Sequence, residues 1–114
     1  MGKNQKVYLV EILDLIKNVW KFVGKIDERE MLKNHVICSA VLMQLTIIGE
    51  KTKKISSEIK SKIDLPWQEI AGFRNRAIHE YSHIDNKIVV SIVFESLKEM
   101  EVKIKKFLKL TKGV

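Results

Sequence analysis

One proline and five glycines in 114 residues leave the chain little material for tight turns, since these residues supply most of the backbone angles that such turns require. That scarcity excludes a fold built from many short elements and suits a few long helices with short connections. A single cysteine, Cys38, cannot form an internal disulfide and suits a reducing cytoplasm. No apolar run reaches transmembrane length, and the start Met-Gly-Lys-Asn-Gln-Lys lacks the apolar core of a signal peptide. A cytoplasmic protein without membrane association is therefore expected. What the chain does have is 46% hydrophobic and 31% charged residues, an ordinary balance for a packed protein and one that rules against disorder. The length fits one domain over residues 1–114. The net charge of +7, from 21 basic and 14 acidic residues, favours polyanionic partners without identifying one.

Apolar spacing predicts an all-α fold, an antiparallel four-helix bundle with an additional short helix. Leu9, Ile12, Leu13, Ile16, Val19, Trp20 and Val23 form one stripe, predicting a helix over about 6–23 that ends at Gly24. Asp27 and Glu30 read as a capping box opening a second helix, from about Glu28 to Lys54. This helix carries two apolar stripes: Leu32, Val36, Ala40, Met43 and Ile47 on one side, and Ile37, Val41, Leu45 and Ile48 roughly opposite. A helix apolar on most sides should be central, or covered in part by another subunit. Ser56 or Ser57 can cap a short polar helix ending near Ile63, and Pro66 suits the first turn of a fourth. That fourth helix should weaken near Tyr81 or Ser82. Asp85 should cap the last, about Asn86 to Leu110, which buries Val89, Ile92, Val93, Leu97, Met100, Ile104 and Phe107. The lysines near the end (Lys103, Lys105, Lys106, Lys109 and Lys112) read most simply as a solvated face.

The fourth helix carries Arg74-Asn75-Arg76-Ala77-Ile78-His79-Glu80-Tyr81. It sets a fixed cation, a carboxamide, an imidazole that titrates near neutral pH and a phenol within about two helical turns. Such a set can grip a phosphate and move a proton. Metal-free RNA cleavage needs a group to take the ribose 2′-OH proton, charge to stabilise the phosphorane, and a proton for the leaving oxygen. His79 can act as base or acid, and Arg74 can hold a phosphate through its planar fork. Asn75 can bond the phosphate or orient the imidazole. Tyr81, with an ordinary pKa of about 10, suits hydrogen bonding better than proton abstraction. On one straight helix, however, His79 lies about 140° around the axis from Arg74. Either the helix unwinds near His79 or a second copy completes the site.

The same residues carry a resemblance. Arg74, four residues, His79, one residue and Tyr81 match the R-x4–6-H-x-Y signature of the HEPN superfamily. Ile48-Gly49-Glu50 in an earlier helix, Pro66-Trp67 ahead of the motif and Asn75 beside Arg74 are most similar to its HepT-like branch. The resemblance runs from about Tyr8 to the last helix. It implies a HEPN-like bundle, ribonuclease activity with Arg74 and His79 as the catalytic pair, and no metal or other cofactor. It also implies a homodimer with two motifs facing one cleft, and the role of toxin to an MNT-type nucleotidyltransferase antitoxin. Adenylylation of Tyr81 by that partner would put a bulky anion beside Arg74 and His79 and exclude RNA. A second class stays open, a catalytically silent subunit that binds the nucleotidyltransferase and its nucleotide or substrate.

Blander readings stand beside these. Arg74 and His79 can serve only a helix end or nearby acids such as Asp64, Glu69 and Asp85, Tyr81 can be a core-edge tyrosine, and Glu50 can simply face solvent. His79-Glu80-Tyr81-Ser82-His83 also matches the zinc-protease pattern H-E-x-x-H, with His35 and Cys38 as further ligand types. A zincin needs a third ligand, a supporting sheet and a substrate cleft, which a short helical chain hardly supplies.

Overall fold

The computed structural model describes residues 4–79 and 85–110, apart from the side chains of Arg74, Ile78 and His79. Helix α1 spans Gln5–Val23, with Leu9, Ile12, Ile16, Val19 and Val23 buried along the expected stripe. The Asn4 side chain caps its start by accepting from the Lys6 N–H. Gly24 ends it with a φ of 60°, while its own N–H still reaches the Trp20 carbonyl. A side chain there would be strained, which is why the helix stops at glycine.

The second expected helix is divided. Helix α2 covers only Glu28–Leu32, opened by the capping box of Asp27 and Glu30, and α3 runs His35–Thr52. Asn34 makes the break. Its side chain accepts from the Ile37 N–H and so starts a new helix where apolar periodicity alone continues through. The Cys38 thiol then donates to the Met31 carbonyl at 3.2 Å, tying the two pieces together across the break.

Helix α3 is central. It packs on α1 in antiparallel register, marked by the Lys51–Glu11 ion pair at 2.6 Å near one end and the Asn18–Gln44 hydrogen bond at 3.2 Å nearer the other. Its second face packs on the helix that follows α4. Helix α4, Ser57–Lys62, is capped by Ser56 as expected, and α5 spans Trp67–His79. The Trp67 indole N–H reaches the carbonyls of Lys60 (3.1 Å) and Ile63 (3.0 Å), fastening the start of α5 to the end of α4. Pro66 lies just before α5 and supplies the carbonyl for the Ile70 N–H, a place where the missing N–H costs nothing.

Asp85 caps α6, Asn86–Ser91, through the Lys87 N–H. A π turn over Ile92–Ser96 leads directly into α7, Leu97–Leu110. Buried Val89, Val93 and Leu97 are spaced by four residues, which on a plain α-helix drifts about 40° per step. The wider π turn takes up that drift and keeps all three on the core. Beyond it, Met100, Ile104 and half-buried Phe107 return to ordinary spacing.

Apolar surface is left uncovered among the described residues. The outward stripe of α3 keeps Val36 79% and Met43 50% exposed, although α3 is the central helix. A groove of about 690 Å³ also opens between α5 and the α6–α7 rod, floored by Leu45 and Ile48 of α3 and walled by Phe73 and Ile92. No helix among the described residues is long and apolar enough to cross a membrane.

Candidate active site

Helix α5 carries most of the motif. Ile70 and Phe73 are half-buried and Ala77 is buried, so one face of α5 is anchored on the core. Asn75 and Arg76 stand between those anchors and are exposed. The helix is continuous through His79. Positions 74 and 79 therefore keep the separation of about 140° that an unbroken helix imposes. Unwinding ahead of His79, one of the two ways to converge the motif, does not occur. Position 79 lies one turn beyond Asn75, on the same face. Tyr81 lies outside the described residues, as does the expected weakening of the helix near Tyr81 or Ser82.

The end of α3 meets this segment. The Lys53 ammonium, at the C-cap of α3, donates to Asn75 Oδ1 at 3.1 Å and joins the two helices beside the motif. Sequence reasoning did not single out Lys53. Nothing in its neighbourhood distinguishes it from Lys51 and Lys54 until the fold sets α3 against α5. Glu50, one turn earlier, is exposed. Gly49 is buried, and so is Thr52, whose hydroxyl donates to the Gly49 carbonyl at 2.7 Å. The Ile-Gly-Glu segment thus forms the α3 end against which the motif helix packs. Pro66 and Trp67 have a mounting role at the other end of α5.

The terminal lysines are partly occupied within the chain. Lys103 pairs with Glu99 at 2.7 Å and donates to the Asp64 carbonyl at 2.7 Å, and its bond to Glu99 is the main cause of its raised pKa. Lys105 approaches Glu101 at 3.6 Å. Lys112 lies outside the described residues. Glu101 is 7% exposed and accepts from the Trp20 indole at 3.1 Å. The apolar stripe gave no sign of that buried carboxylate.

No group of three His, Cys, Asp or Glu side chains converges among the described residues. His35 Nδ1 faces Asn86 Nδ2 at 3.1 Å, whereas Cys38 is turned into the core with its thiol pKa raised by burial. Glu80, Ser82 and His83 of the H-E-x-x-H pattern lie outside the described residues.

Residues 12–107 match the family described as "Ribonuclease HepT-like", a span that includes the whole motif. This chain belongs to the HepT-like ribonuclease family. The family assigns it to the ribonucleases and agrees with the all-α, HEPN-like fold. Among similar proteins, "Putative RNase MJ1380" of Methanocaldococcus jannaschii is 35% identical over 88% of this chain and 96% of its own length. "Putative RNase TTE0752" of Caldanaerobacter subterraneus subsp. tengcongensis is 32% identical over 96% of this chain and 99% of its own. "Probable ribonuclease HepT" of Thermococcus cleftensis is 30% identical over 96% of this chain and all of its own length. No solved structure matches the chain.

Proposed function

We propose that this HepT-like chain is a toxin ribonuclease that cleaves RNA without metal at a site shared by two copies, and that a nucleotidyltransferase antitoxin silences it. The observation that carries this reading is the unbroken helix from Trp67 to His79. It holds the backbone positions of the family's Arg and His on diverging sides, so a cleft that needs both draws on a second molecule. The uncovered stripe through Val36 and Met43 supports such a pairing, because apolar faces of this kind commonly mark protein interfaces. The net charge of +7 supports a polyanionic substrate.

In the proposed reaction the ribose 2′-oxygen attacks the adjacent phosphorus, with His79 taking its proton. Arg74 stabilises the charge on the phosphorane, with Asn75 assisting. The bond from phosphorus to the 5′-oxygen breaks, and a proton is returned to that oxygen. The products are a 2′,3′-cyclic phosphate and a 5′-hydroxyl. Regulation acts at Tyr81: transfer of AMP from ATP to its hydroxyl, with release of pyrophosphate, places a phosphate beside Arg74 and blocks RNA.

Incubating the protein with RNA in excess EDTA and analysing the ends tests this reading. Cyclic phosphate ends that vanish in His79→Ala support it. Cleavage that vanishes with EDTA and returns with zinc would favour the H-E-x-x-H reading. No cleavage of any RNA, together with tight binding to a nucleotidyltransferase, would favour the silent subunit.

A further inference from the structure

Three lysines stand at the C-terminal end of α3, where cations are favoured by the helix dipole. Their surroundings differ. Lys51 turns to Glu11 of α1 at 2.6 Å, so a carboxylate offsets its charge. Lys54 lies over the Tyr8 ring, 5.9 Å from its centre. Lys53 turns the other way, onto α5, and its partner is the neutral carboxamide of Asn75. Among the described residues Lys53 meets no carboxylate. Its full positive charge therefore stands 3.1 Å from a motif side chain.

That contact also settles which way the carboxamide faces. An ammonium has three donors and no acceptor, so the Asn75 atom that meets it must be the oxygen. The Nδ2 group, with two donors, is then directed away from Lys53. An asparagine held in this way presents N–H groups, which suit phosphate oxygens, and not a carbonyl, which would repel them. The Lys53 backbone is itself fixed, since its N–H bonds the carbonyls of Glu50 and Lys51 at the helix end.

We propose that Lys53 is a positioning residue of the active site, which holds Asn75 as a hydrogen-bond donor toward the phosphodiester of bound RNA. This rests on the ribonuclease reading for its substrate, while the contact itself is independent of it. Lys53 acts through Asn75, so its loss should alter the chemical step more than substrate capture. A lysine that only neutralises a helix end would change stability and leave both constants alone.

The test compares wild type with Lys53→Met, Lys53→Arg, Asn75→Ala and the double variant Lys53→Met/Asn75→Ala, on one RNA in EDTA. Lys53→Met should lower kcat on the order of 10-fold with little change in KM, as expected for a misplaced contact. Lys53→Arg, which can still donate to Oδ1, should recover most of that loss. Lys53→Met should cost nothing further once Asn75 is alanine. A second readout does not depend on turnover: the Asn75 side-chain amide resonances of ¹⁵N-labelled protein, titrated with a 2′-deoxy dinucleotide that cannot be cleaved. They should shift in wild type and in Lys53→Arg and stay unmoved in Lys53→Met. If wild type cleaves RNA and Lys53→Met matches it in both kcat and amide shifts, the positioning role is overturned and the ribonuclease reading stands. Losses from Lys53→Met and Asn75→Ala that simply add would likewise overturn it. If no protein cleaves, wild type included, the ribonuclease reading falls, and the amide titration alone decides for or against Lys53.

Discussion

His79 is the residue on which the proposed chemistry depends most, because an imidazole is the only motif group with both proton states abundant near neutral pH. Its replacement by alanine should lower cleavage by about 10²–10⁴-fold, the usual yield of a positioned acid or base, as measured under single-turnover conditions. A smaller loss than that of Arg74→Ala would point to charge stabilisation as the dominant contribution. Tyr81 is the residue on which the proposed regulation depends. Mass spectrometry after incubation with the nucleotidyltransferase and ATP should show added AMP on wild type and none on Tyr81→Phe. Equal labelling of both would place the acceptor elsewhere. Arg74, Asn75, His79 and Tyr81 enter the proposal from residue type and spacing in the sequence. Lys53 was not legible there, because its relation to Asn75 spans 22 residues and exists only once two helices are packed. The same holds for Glu101 and Trp20, 81 residues apart. Trp20→Phe leaves that buried carboxylate short of a donor, and chemical denaturation should show a loss of about 1–3 kcal/mol.

Several helix boundaries were legible from their cap residues. Asp27 with Glu30, Ser56 and Asp85 all cap the helices assigned to them, and Gly24 ends the first. The break at Asn34 was missed because the apolar rhythm from Met31 to Val41 runs straight across it, and a single side-chain bond decides the outcome. Asn34→Ala should therefore cost about 1 kcal/mol, read as a shift in the denaturation midpoint. The π turn was also out of reach, since four-residue spacing of buried valines fits a slightly curved α-helix as well. Cys38 offers a check on the α2–α3 junction. Burial pushes its thiol pKa up, so at pH 8 less of it is thiolate than in the unfolded chain and alkylation by iodoacetamide should be slow. Because the native state disfavours thiolate, raising the pH through the thiol's unfolded range should also erode stability. Rapid alkylation of the native protein at neutral pH would mean that the junction is open.

At the scale of the whole molecule the bundle is both a fold and half of a proposed site. Placing charge on the uncovered α3 stripe tests the pairing: Met43→Lys should leave helicity unchanged by circular dichroism and shift light scattering from dimer to monomer. A wild-type monomer at micromolar concentration would remove the premise. The central claim is that one copy's Arg74 works with the other's His79, and mixing inactive variants tests it most directly. Arg74→Ala and His79→Ala are co-refolded in equal amounts and assayed on RNA in EDTA. In a two-fold dimer each mixed pair regains one intact site, and half of all pairs are mixed, so the mixture should reach about a quarter of wild-type activity. A mixture as inactive as its two components, beside an active wild type, would contradict a shared site.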